Sequence, residues 1–263
     1  MGQSYEIRKI ILEQSRRANV GHIGSALSIA DIIAALYDGI LNIKNPNDPE
    51  RDRFLLSKGH AVLAVYAALF LRSWISEAEL NTFCGDDTLL GVHPEFELTG
   101  IDFSTGSLGQ GLSVATGAAL AAQMQKAARR AFALISDAEC NEGSTWEAAM
   151  FAAQHRLSNL VAILDFNKQQ AFGYIQDVLD TTNMAERWRT FGWDVHEING
   201  HDTGEITETI QSLNADAPHM IIAHTTFGKG VSYMENRIKW HYMPMSDEEY
   251  RQALRDIQTL ETQ

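Results

Sequence analysis

Residues 131–167 read AFALISDAECNEGSTWEAAMFAAQHRLSNLVAILDFN. The stretch opens with an apolar run at 131–135 and closes with a second one, LVAIL, at 160–164. Unbroken hydrophobicity of this kind is expected of parallel strands that are covered on both faces. Because the pattern between the two runs, over 144–157, is helical, the stretch predicts a strand, a crossover helix and a second strand parallel to the first.

A third apolar run, HMIIA at 219–223, indicates another strand of the same kind. Helical patterns surround these runs at 5–18, 28–40, 60–73, 110–127, 144–157, 183–191, 203–213 and 246–261. Strands that alternate with helices are typical of an α/β fold, in which a parallel sheet carries helices on both faces. Since no repeat, low-complexity tract or Pro/Gly linker divides the sequence, we expect a single domain over residues 1–263.

The 263-residue chain carries 34 acidic and 21 basic residues, a net charge of −13. This charge argues against a nucleic-acid partner or an anionic membrane surface, so any anionic ligand must be held by local groups.

The longest apolar stretch, AVLAVYAALFL from Ala61, is too short to span a bilayer. Cys84 and Cys140 form no pair typical of a metal site or a disulfide, and the start MGQSYEIRK lacks an apolar signal core. We therefore expect a cytoplasmic protein.

Two polar residues follow the first two apolar runs. Asp137 comes just after the run at 131–135, and Asn167 comes just after the run at 160–164. A right-handed crossover brings both strand ends to one edge of the sheet, where ligands of such sheets collect. Carboxylate and amide oxygens are hard ligands that Mg²⁺ prefers, and the backbone carbonyl of Gln169 is a further candidate. Both residue types are also common in turns and caps, so the pair alone leaves a structural role open.

The segment STGSLGQGLSVATGAALAAQ, residues 104–123, places Gly106, Gly109 and Gly111 directly before a helical pattern. The order is G-x-x-G-x-G and no apolar strand precedes it, which argues against the G-x-G-x-x-G dinucleotide fingerprint and a nicotinamide-linked dehydrogenase. Two interpretations stay open. The backbone here approaches a flat or phosphorylated ligand, or the glycines only allow tight helix packing.

Five of the nine histidines lie in loop-like settings next to glycine or proline: His22, His60, His93, His201 and His241. A single histidine in such a place is more often a turn or capping residue. Several that converge on one cleft can donate hydrogen bonds to substrate oxygens and move protons. The sequence has no zinc-type His/Cys pattern, no G-x-S-x-G elbow and no P-loop, which weakens zinc-site, hydrolase and NTPase interpretations.

Six segments in this order and spacing resemble the diphosphate-binding half of transketolase. They are GHIGSALSIADIIAALY (21–37), NPNDPERDRFLLSKGHAVLAVYAAL (45–69), GVHPEFELTGIDFSTGSLGQGLSVATGAAL (91–120), SDAECNEGSTWEAA through LDFNKQQAFG (136–173), FGWDVHEINGHD (191–202) and GKGVSYMENRIKWH (228–241). Together they cover nearly the whole chain. The resemblance implies the thiamine diphosphate-binding fold of that family's diphosphate domain.

The resemblance further implies thiamine diphosphate as cofactor, with Mg²⁺, or Ca²⁺ or Mn²⁺, as the metal. In that family's pattern Asp137, Asn167 and the carbonyl of Gln169 hold the metal, which bridges the two phosphates. His60 and His241 match residues that line the diphosphate and the reaction centre. A divalent cation and backbone N–H groups would neutralise the diphosphate inside an acidic protein.

Other matches surround the reaction centre. Gly106 and Leu108 match backbone positions near the aminopyrimidine ring of the cofactor. His22 and His93 match residues that contact the C1 and C2 oxygens of the sugar and move protons. We count Glu142 as catalytic together with the four matched histidines His22, His60, His93 and His241.

Glu142 and Glu147 match two acidic residues that lie at the family's subunit interface and link its active sites. For Glu142 this role supplies a reason to bury an acidic group. The alternatives are a first-turn partner of the helix dipole for Glu142 and an ordinary helix-surface carboxylate for Glu147.

The chain departs from the family at several positions. The usual Gly-Asp-Gly is Ser136-Asp137-Ala138 here, and Lys168 and Gln170 replace residues that are often small or apolar. Glycine lets the backbone come close to the diphosphate, and alanine is the smallest intrusion. We therefore expect the chain to bind the cofactor, but more weakly than a chain with glycine at position 138 does. The departures also indicate a specialised paralogue.

Full transketolases continue into a pyrimidine-binding domain and a C-terminal domain, and this sequence resembles the N-terminal subunit of family members split into two polypeptides. We expect those domains on a separate polypeptide, an α2β2 assembly, and no activity by this chain alone. The implied reaction transfers a two-carbon ketol group from a ketose, as sugar or sugar phosphate, to an aldose acceptor.

Two alternatives share the cofactor or the fold. One is another thiamine diphosphate enzyme component, either a 2-oxo acid decarboxylating one or one like deoxyxylulose phosphate synthase. The set of His22, His60 and His93 argues for transketolase instead. The other alternative is a catalytically inactive scaffold subunit whose altered Ser-Asp-Ala motif no longer holds cofactor.

Overall fold

A five-stranded parallel sheet forms the centre of the molecule, and its strands lie in the order Arg53–Leu56, Ala131–Ser136, Leu160–Phe166, His219–His224 and Asp194–Asn199. The computed structural model describes residues 2–181 and 183–261, so positions 1, 182, 262 and 263 of the predicted domain lie outside the described residues. The strands are β1 (Arg53–Leu56), β2 (Ala131–Ser136), β3 (Leu160–Phe166), β4 (Gln169–Gln170), β5 (Gly173–Tyr174), β6 (Asp194–Asn199) and β7 (His219–His224). The short strands β4 and β5 form a separate antiparallel hairpin. The predicted α/β fold with a parallel sheet is confirmed.

Helices cover both faces of this sheet. They are α1 (Gln3–Ala18), α2 (Ile23–Ser28), α3 (Ala30–Ala35), α4 (Leu63–Leu71), α5 (Glu77–Leu80), α6 (Gly111–Met124), α7 (Gly143–Gln154), α8 (Ile175–Val178), α9 (Met184–Thr190), α10 (Thr203–Ser212), α11 (Lys239–Tyr242) and α12 (Asp247–Glu261). Short helical turns of other types span Leu36–Ile40, Gly59–Ala61 and Ala138–Asn141. Among the described residues, no helix is long and apolar enough to cross a membrane.

The three apolar runs are the central strands, as predicted, because a central strand is covered on both faces. On β2, Phe132 and Leu134 pack into the core formed with α1, α3, α4 and α12. Ala133 and Ile135, one residue out of step, pack into the second core with α6, α7 and α9. Alternate residues therefore serve opposite faces, and both must be apolar.

The edge strands were not predicted. β1 is only four residues long, and its apolar run, Phe54–Leu56, is too short to mark a strand. β6 has mostly half-exposed side chains and no apolar run. The prediction of one helix over 28–40 is also wrong. The chain forms α2 and α3, which are separated at Ile29 (φ −100°, ψ 4°), and a π-helical turn that contains Gly39 at φ 146°. The other predicted helices are found to within about one turn of their expected ends.

Candidate active site

Four loops meet where the parallel strands end. Ser57 follows β1, Asp137 follows β2, Asn167 follows β3 and Thr225 follows β7. The first three of these loops, together with the loops before α2 and α6, the β4–β5 hairpin and α11, line a cleft of ≈ 570 Å³. Its lining includes most of the residues singled out from the sequence, namely His22, His60, His93, Gly106, Leu108, Ala138, Glu142, Asn167, Gln169 and His241.

Asp137 lies behind the cleft wall and is fully buried. Its Oδ1 accepts a hydrogen bond from the Ala138 N–H at 2.8 Å, and its Oδ2 accepts one from the Lys168 N–H at 2.6 Å. The second bond joins the loop after β2 to the loop after β3, as the crossover argument predicts. Burial, with a smaller contribution from the charge of Asp165, raises the pKa of Asp137 to about 8. A cation beside this carboxyl would favour its charged form.

The side-chain amide of Asn167 has a defined orientation. Its Nδ2 donates to Asp165 Oδ2 at 2.9 Å and to Ser28 Oγ at 3.3 Å. Its Oδ1 is turned the other way, towards the backbone of its own loop, and accepts from the Gln169 N–H at 2.9 Å. Because both donor bonds point at oxygen acceptors, Oδ1 is the atom left to serve as a hard ligand.

Asp165 holds the Asn167 amide in this orientation, and the sequence motifs did not indicate it as a site residue. It is fully buried and accepts hydrogen bonds from Ser28 Oγ (2.7 Å) and from Thr225 Oγ1. Lys58, whose side chain is 1% exposed, places Nζ 2.5 Å from Asp165 Oδ2. The available signal was a charged residue inside the otherwise apolar strand LVAILDF, since a buried charge must be paired.

The structure brings four of the five singled-out histidines to the cleft. The ring centroids of His22 and His60 lie 5.4 Å apart, and His241 lies 5.4 and 5.5 Å from them. His93 contacts Gly106, where an added Cβ would lie 3.4 Å from the imidazole ring. The fifth, His201, lies away from the cleft.

His201 has a structural hydrogen-bonding role. Its Nε2 accepts from the Thr226 N–H at 2.8 Å, so its Nδ1 carries the proton that it shares with Asp31 Oδ2 at 2.8 Å. Asp31 is also paired with the buried guanidinium of Arg8. This network supports the loop after β7, next to Thr225.

The imidazoles of His22, His60 and His241 are uncharged at neutral pH. Burial is the largest cause of a lowered pKa at His22, and it takes the pKa of His60 well below its usual range. At His241, burial and the neighbouring His22 and Lys58 lower the pKa to about 4. Each neutral imidazole offers one donor and one acceptor nitrogen.

The loop of glycines is held by Glu139, a second residue missed in the sequence. This fully buried carboxylate accepts hydrogen bonds from Ser57 Oγ, from the Gly109 N–H (3.0 Å) and from the Ser136 N–H (2.8 Å). Burial raises the pKa of Glu139. It therefore ties the glycine segment to the ends of β1 and β2.

The two interpretations of the glycines apply to different residues. Gly109 has a φ of 81°, and a Cβ there would lie 2.6 Å from Glu142 Cβ. A Cβ at Gly111 would lie 2.3 Å from Ser57 Oγ, so these two glycines allow close packing. Gly106 instead lines the cleft, where its backbone is open to a ligand.

Ser136 and Ala138 fit this backbone without strain. Ala138 begins the helical turn Ala138–Asn141, a conformation that alanine readily adopts, so no glycine is needed for its φ and ψ. Ser136 donates from Oγ to Glu139 Oε2 at 3.2 Å. The only remaining effect of Ala138 is the bulk of one methyl group in the cleft wall.

Glu142 and Glu147 are both exposed in this chain. Glu142 precedes α7 as its N-cap residue and stands at the mouth of the cleft. The resemblance places Glu142 at a subunit interface, which a single chain does not test, so this role stays a prediction. Any burial must come from another chain.

The cleft contains buried polar atoms without a hydrogen-bond partner among the described residues. They are His22 Nδ1, Asn141 Oδ1, Gln169 Nε2 and Oε1, Gln170 Nε2 and His241 Nδ1. Buried polar groups are nearly always hydrogen-bonded in proteins. These atoms, with the hard oxygens of Asp137 and Asn167, fit a polar ligand with a divalent cation.

Comparison with known proteins identifies the domain. The family model described as "Transketolase, thiamine diphosphate binding domain" matches residues 3–260. The chain is 42% identical over 259 residues to a subunit of the apulose-4-phosphate transketolase of Phocaeicola vulgatus, covering 97% of this chain and 92% of that protein. It is 41% identical to the 6-deoxy-6-sulfo-D-fructose transketolase subunit SqwG of Clostridium sp., covering 97% and 95%.

Longer relatives match over part of their length. The crystal structure of transketolase from Campylobacter jejuni superposes with a TM-score of 0.92 at 32% identity, covering 97% of this chain and 42% of that one. Human transketolase is 35% identical and is covered over 40% of its length. The chain thus spans about two fifths of these proteins and nearly all of the two subunits.

Proposed function

Because this chain belongs to the transketolase family, as a thiamine diphosphate-binding domain, we propose that it is one subunit of a two-polypeptide transketolase. The reaction is transfer of a two-carbon ketol group from a ketose or ketose phosphate to an aldose acceptor. The observation that carries this proposal is the composition of the cleft. Its lining and the wall directly behind it combine hard oxygen ligands with a triangle of neutral histidines.

Asp137, Asn167 and the backbone carbonyl of Gln169 are the proposed ligands of Mg²⁺, which Ca²⁺ or Mn²⁺ could replace. Asp165 and Lys58 hold the Asn167 amide so that its oxygen, which also accepts from the Gln169 N–H, faces away from Asp165 and can bind the metal. Gly106 and Leu108 offer backbone to the aminopyrimidine side of the cofactor, and Ala138 lies beside the diphosphate. When bound, thiamine diphosphate supplies the nucleophilic carbon and the electron sink that ketol transfer requires.

The histidines act on the oxygens of the substrate. His22 and His93 are proposed to contact the C1 and C2 oxygens, and His60 and His241 to line the reaction centre. His60 Nε2 lies 2.9 Å from Ser25 Oγ, which fixes its ring. The unpartnered Nδ1 atoms of His22 and His241 are free to donate to, or accept from, a sugar oxygen. Their lowered pKa values keep them neutral, so they polarise oxygens without adding charge.

The second subunit is proposed to carry the pyrimidine-binding and C-terminal domains and to assemble with this chain as α2β2. Large apolar side chains are exposed around the cleft mouth, among them Phe172 at 86%, Leu179 at 56% and Tyr242 at 55%. Such patches mark interaction surfaces. Glu142 stands at the same mouth and is proposed to contact the partner there. No nucleic-acid or membrane partner is proposed, and a cytoplasmic location suits the family.

Reconstitution tests this proposal. The chain and the product of an adjacent reading frame that encodes a pyrimidine-binding domain are purified separately and then mixed. We expect ketol transfer from a panel of ketose donors only in the mixture. Turnover by this chain alone would contradict the split architecture. Decarboxylation of pyruvate in place of ketol transfer would favour a different thiamine diphosphate enzyme.

The inactive-scaffold alternative is tested by calorimetry. Thiamine diphosphate and Mg²⁺ are titrated into the mixture of the two polypeptides. The relaxed backbone at Ala138 supports binding. Absence of cofactor binding would leave only the scaffold role.

A further inference from the structure

Two glutamine side chains in the cleft wall have unused hydrogen-bonding groups. Gln169 is 5% exposed and Gln170 is 7% exposed, and both line the cleft. Neither Nε2 nor Oε1 of Gln169 has a hydrogen-bond partner among the described residues, and the same holds for Nε2 of Gln170. The Oδ1 atom of Asn141, which lines the same cleft, is also unpartnered within the described part of the chain.

The fold does not require amides at these positions. The backbone of Gln169 and Gln170 forms β4, which pairs with Gly173 and Tyr174 of β5. This pairing uses backbone groups, so an apolar side chain of similar size would fill the same space without the penalty of a buried unpaired amide. A ligand that hydrogen-bonds to the side chains is the physical reason for amides in the wall.

The pattern of donors and acceptors restricts the chemistry of that ligand. Gln169 Oε1 and Asn141 Oδ1 are acceptors, and they need a hydrogen-bond donor, which a fully ionised phosphate, a sulfonate or a carboxylate lacks. Gln169 Nε2 and Gln170 Nε2 are donors. A hydroxyl group both donates and accepts, so a chain of hydroxyl groups satisfies all of these atoms.

The charge of the cleft excludes a strong anion site on this wall. Among the described residues that line the cleft, Lys58 is the one lysine or arginine, and its Nζ is paired with Asp165. His22, His60 and His241 are held neutral by burial. Beyond the cofactor site, the described lining of this half of the cleft therefore offers neutral hydrogen bonds and no free cation.

We propose that Gln169 and Gln170 determine specificity by binding hydroxyl groups of the sugar chain through their side-chain amides. In this arrangement, which rests on the proposed function, the anionic end of a phosphorylated or sulfonated sugar lies against the partner subunit. The side-chain amides act on the sugar, whereas the backbone carbonyl of Gln169 serves the metal.

The test measures binding and needs no turnover. Wild type, Gln169→Leu and Gln170→Leu are each loaded with Mg²⁺ and thiamine diphosphate, with the partner subunit present. D-arabinitol, an uncharged polyol without a reactive carbonyl, is titrated by calorimetry, and inorganic phosphate is titrated as the anionic probe. Gln123→Leu, an exposed glutamine on α6, is the matched control.

We expect each cleft variant to raise the Kd for D-arabinitol about fivefold to tenfold, as loss of a hydrogen bond does. The control should keep the wild-type Kd for D-arabinitol, and phosphate and cofactor affinities should stay within about twofold in the control and in Gln170→Leu. No saturable polyol binding by wild type, or an equal Kd in the cleft variants, would overturn the proposal. A selective loss of cofactor or phosphate affinity would also overturn it, because the amides would then serve the anion. Because the experiment measures binding and not turnover, it tests Gln169 and Gln170 even if the complex has no ketol-transfer activity.

Discussion

At the scale of single residues, a buried carboxylate determines how a neighbouring amide is presented. The Asn167 amide donates one hydrogen bond to Asp165 and one to Ser28, and Ser28 in turn donates to Asp165. Lys58 compensates the charge of Asp165. The oxygen of Asn167 is thereby kept on the side of the Gln169 N–H. A protonated or neutral residue at 165 would leave the amide free to turn over, so the orientation of a proposed metal ligand depends on a residue that does not line the cleft.

Replacement of Asp137 by alanine should abolish Mg²⁺-dependent binding of thiamine diphosphate. The variant removes the buried carboxylate directly after β2, and the remaining amide and carbonyl oxygens are weak ligands alone. Calorimetry with and without Mg²⁺ measures the effect. Asp38→Ala, which changes an exposed aspartate, is the control and should bind as wild type does. Unchanged affinity in Asp137→Ala would refute the site assignment.

The pKa of His241 predicts a pH dependence of stability. His241 is 8% exposed and its pKa is about 4 in the folded chain, below the usual value near 6.5, because of burial and of His22 and Lys58 around it. At pH values between these two pKa values, His241 is therefore protonated in the unfolded chain and neutral in the folded chain. The free energy of unfolding should fall as pH drops from about 6.5 towards 4, by roughly 3 kcal/mol from this residue.

Urea unfolding of wild type and His241→Gln at several pH values isolates this contribution, since glutamine does not titrate. The difference in free energy of unfolding between the two proteins should shift in favour of the variant as pH falls through this range. A constant difference between pH 7 and pH 4 would show that the pKa of His241 is the same in the folded and unfolded chain.

At the scale of elements, the active-site loops are held by packing that glycine makes possible. The first turn of α6 lies against the end of β1, where Gly111 donates its N–H to Ser57 Oγ at 3.0 Å. Ser57 in turn donates to Glu139, which also holds the Gly109 N–H. The loop that carries Gly106 is therefore connected to two strands through one buried carboxylate.

Gly111→Ala and Gly117→Ala should have opposite effects although both lie in α6. The Cβ at position 111 would come within 2.3 Å of Ser57 Oγ and 2.8 Å of Ser57 Cα, whereas position 117 has nothing within 4 Å. Gly111→Ala should lower the free energy of unfolding by about 1–3 kcal/mol, since overpacking displaces backbone. Gly117→Ala should raise it by up to about 1 kcal/mol, because alanine favours the helix. Urea unfolding measures both, and equal effects would contradict the described packing.

At the scale of the whole molecule, the described lining of the cleft has no unpaired lysine or arginine, and the rim of the cleft is apolar. The net charge of −13 makes the chain as a whole unattractive to anions. The exposed apolar side chains near the cleft are instead suited to contact with another protein. The position of this rim means that association would cover the cleft, exclude water and bury Glu142 in one step.

Phe172→Ser should weaken association with the second subunit. Phe172 is 86% exposed at the cleft mouth, and a large aromatic side chain commonly anchors an interface. We expect the Kd of the complex to rise about tenfold or more, as measured by analytical ultracentrifugation. Leu89→Ser changes another exposed apolar side chain, 43% exposed and outside the cleft lining, and should leave the Kd within about twofold. Equal effects of the two substitutions would place the interface elsewhere.

Several features follow from local sequence alone. The three apolar runs mark the central strands because a strand covered on both faces needs apolar residues at every position. Asp137 and Asn167 could be placed at one edge because the crossover rule relates the ends of successive parallel strands. The edge strand β6 could not be recognised in this way, since its half-exposed side chains carry neither an apolar run nor a clear alternation.

The amino-acid sequence by itself determined the α/β architecture, the central strands and the two residues that end them, because these depend on patterns within short segments. Only the tertiary structure decided which histidines meet and how the Asn167 amide is turned. It also decided that Glu139 and Asp165 are the buried supports of the site. Hydrogen bonds such as Ser57 to Glu139 and Lys58 to Asp165 join residues separated by 82 and 107 positions. Their geometry is set by how the layers pack around the sheet, which no local pattern records.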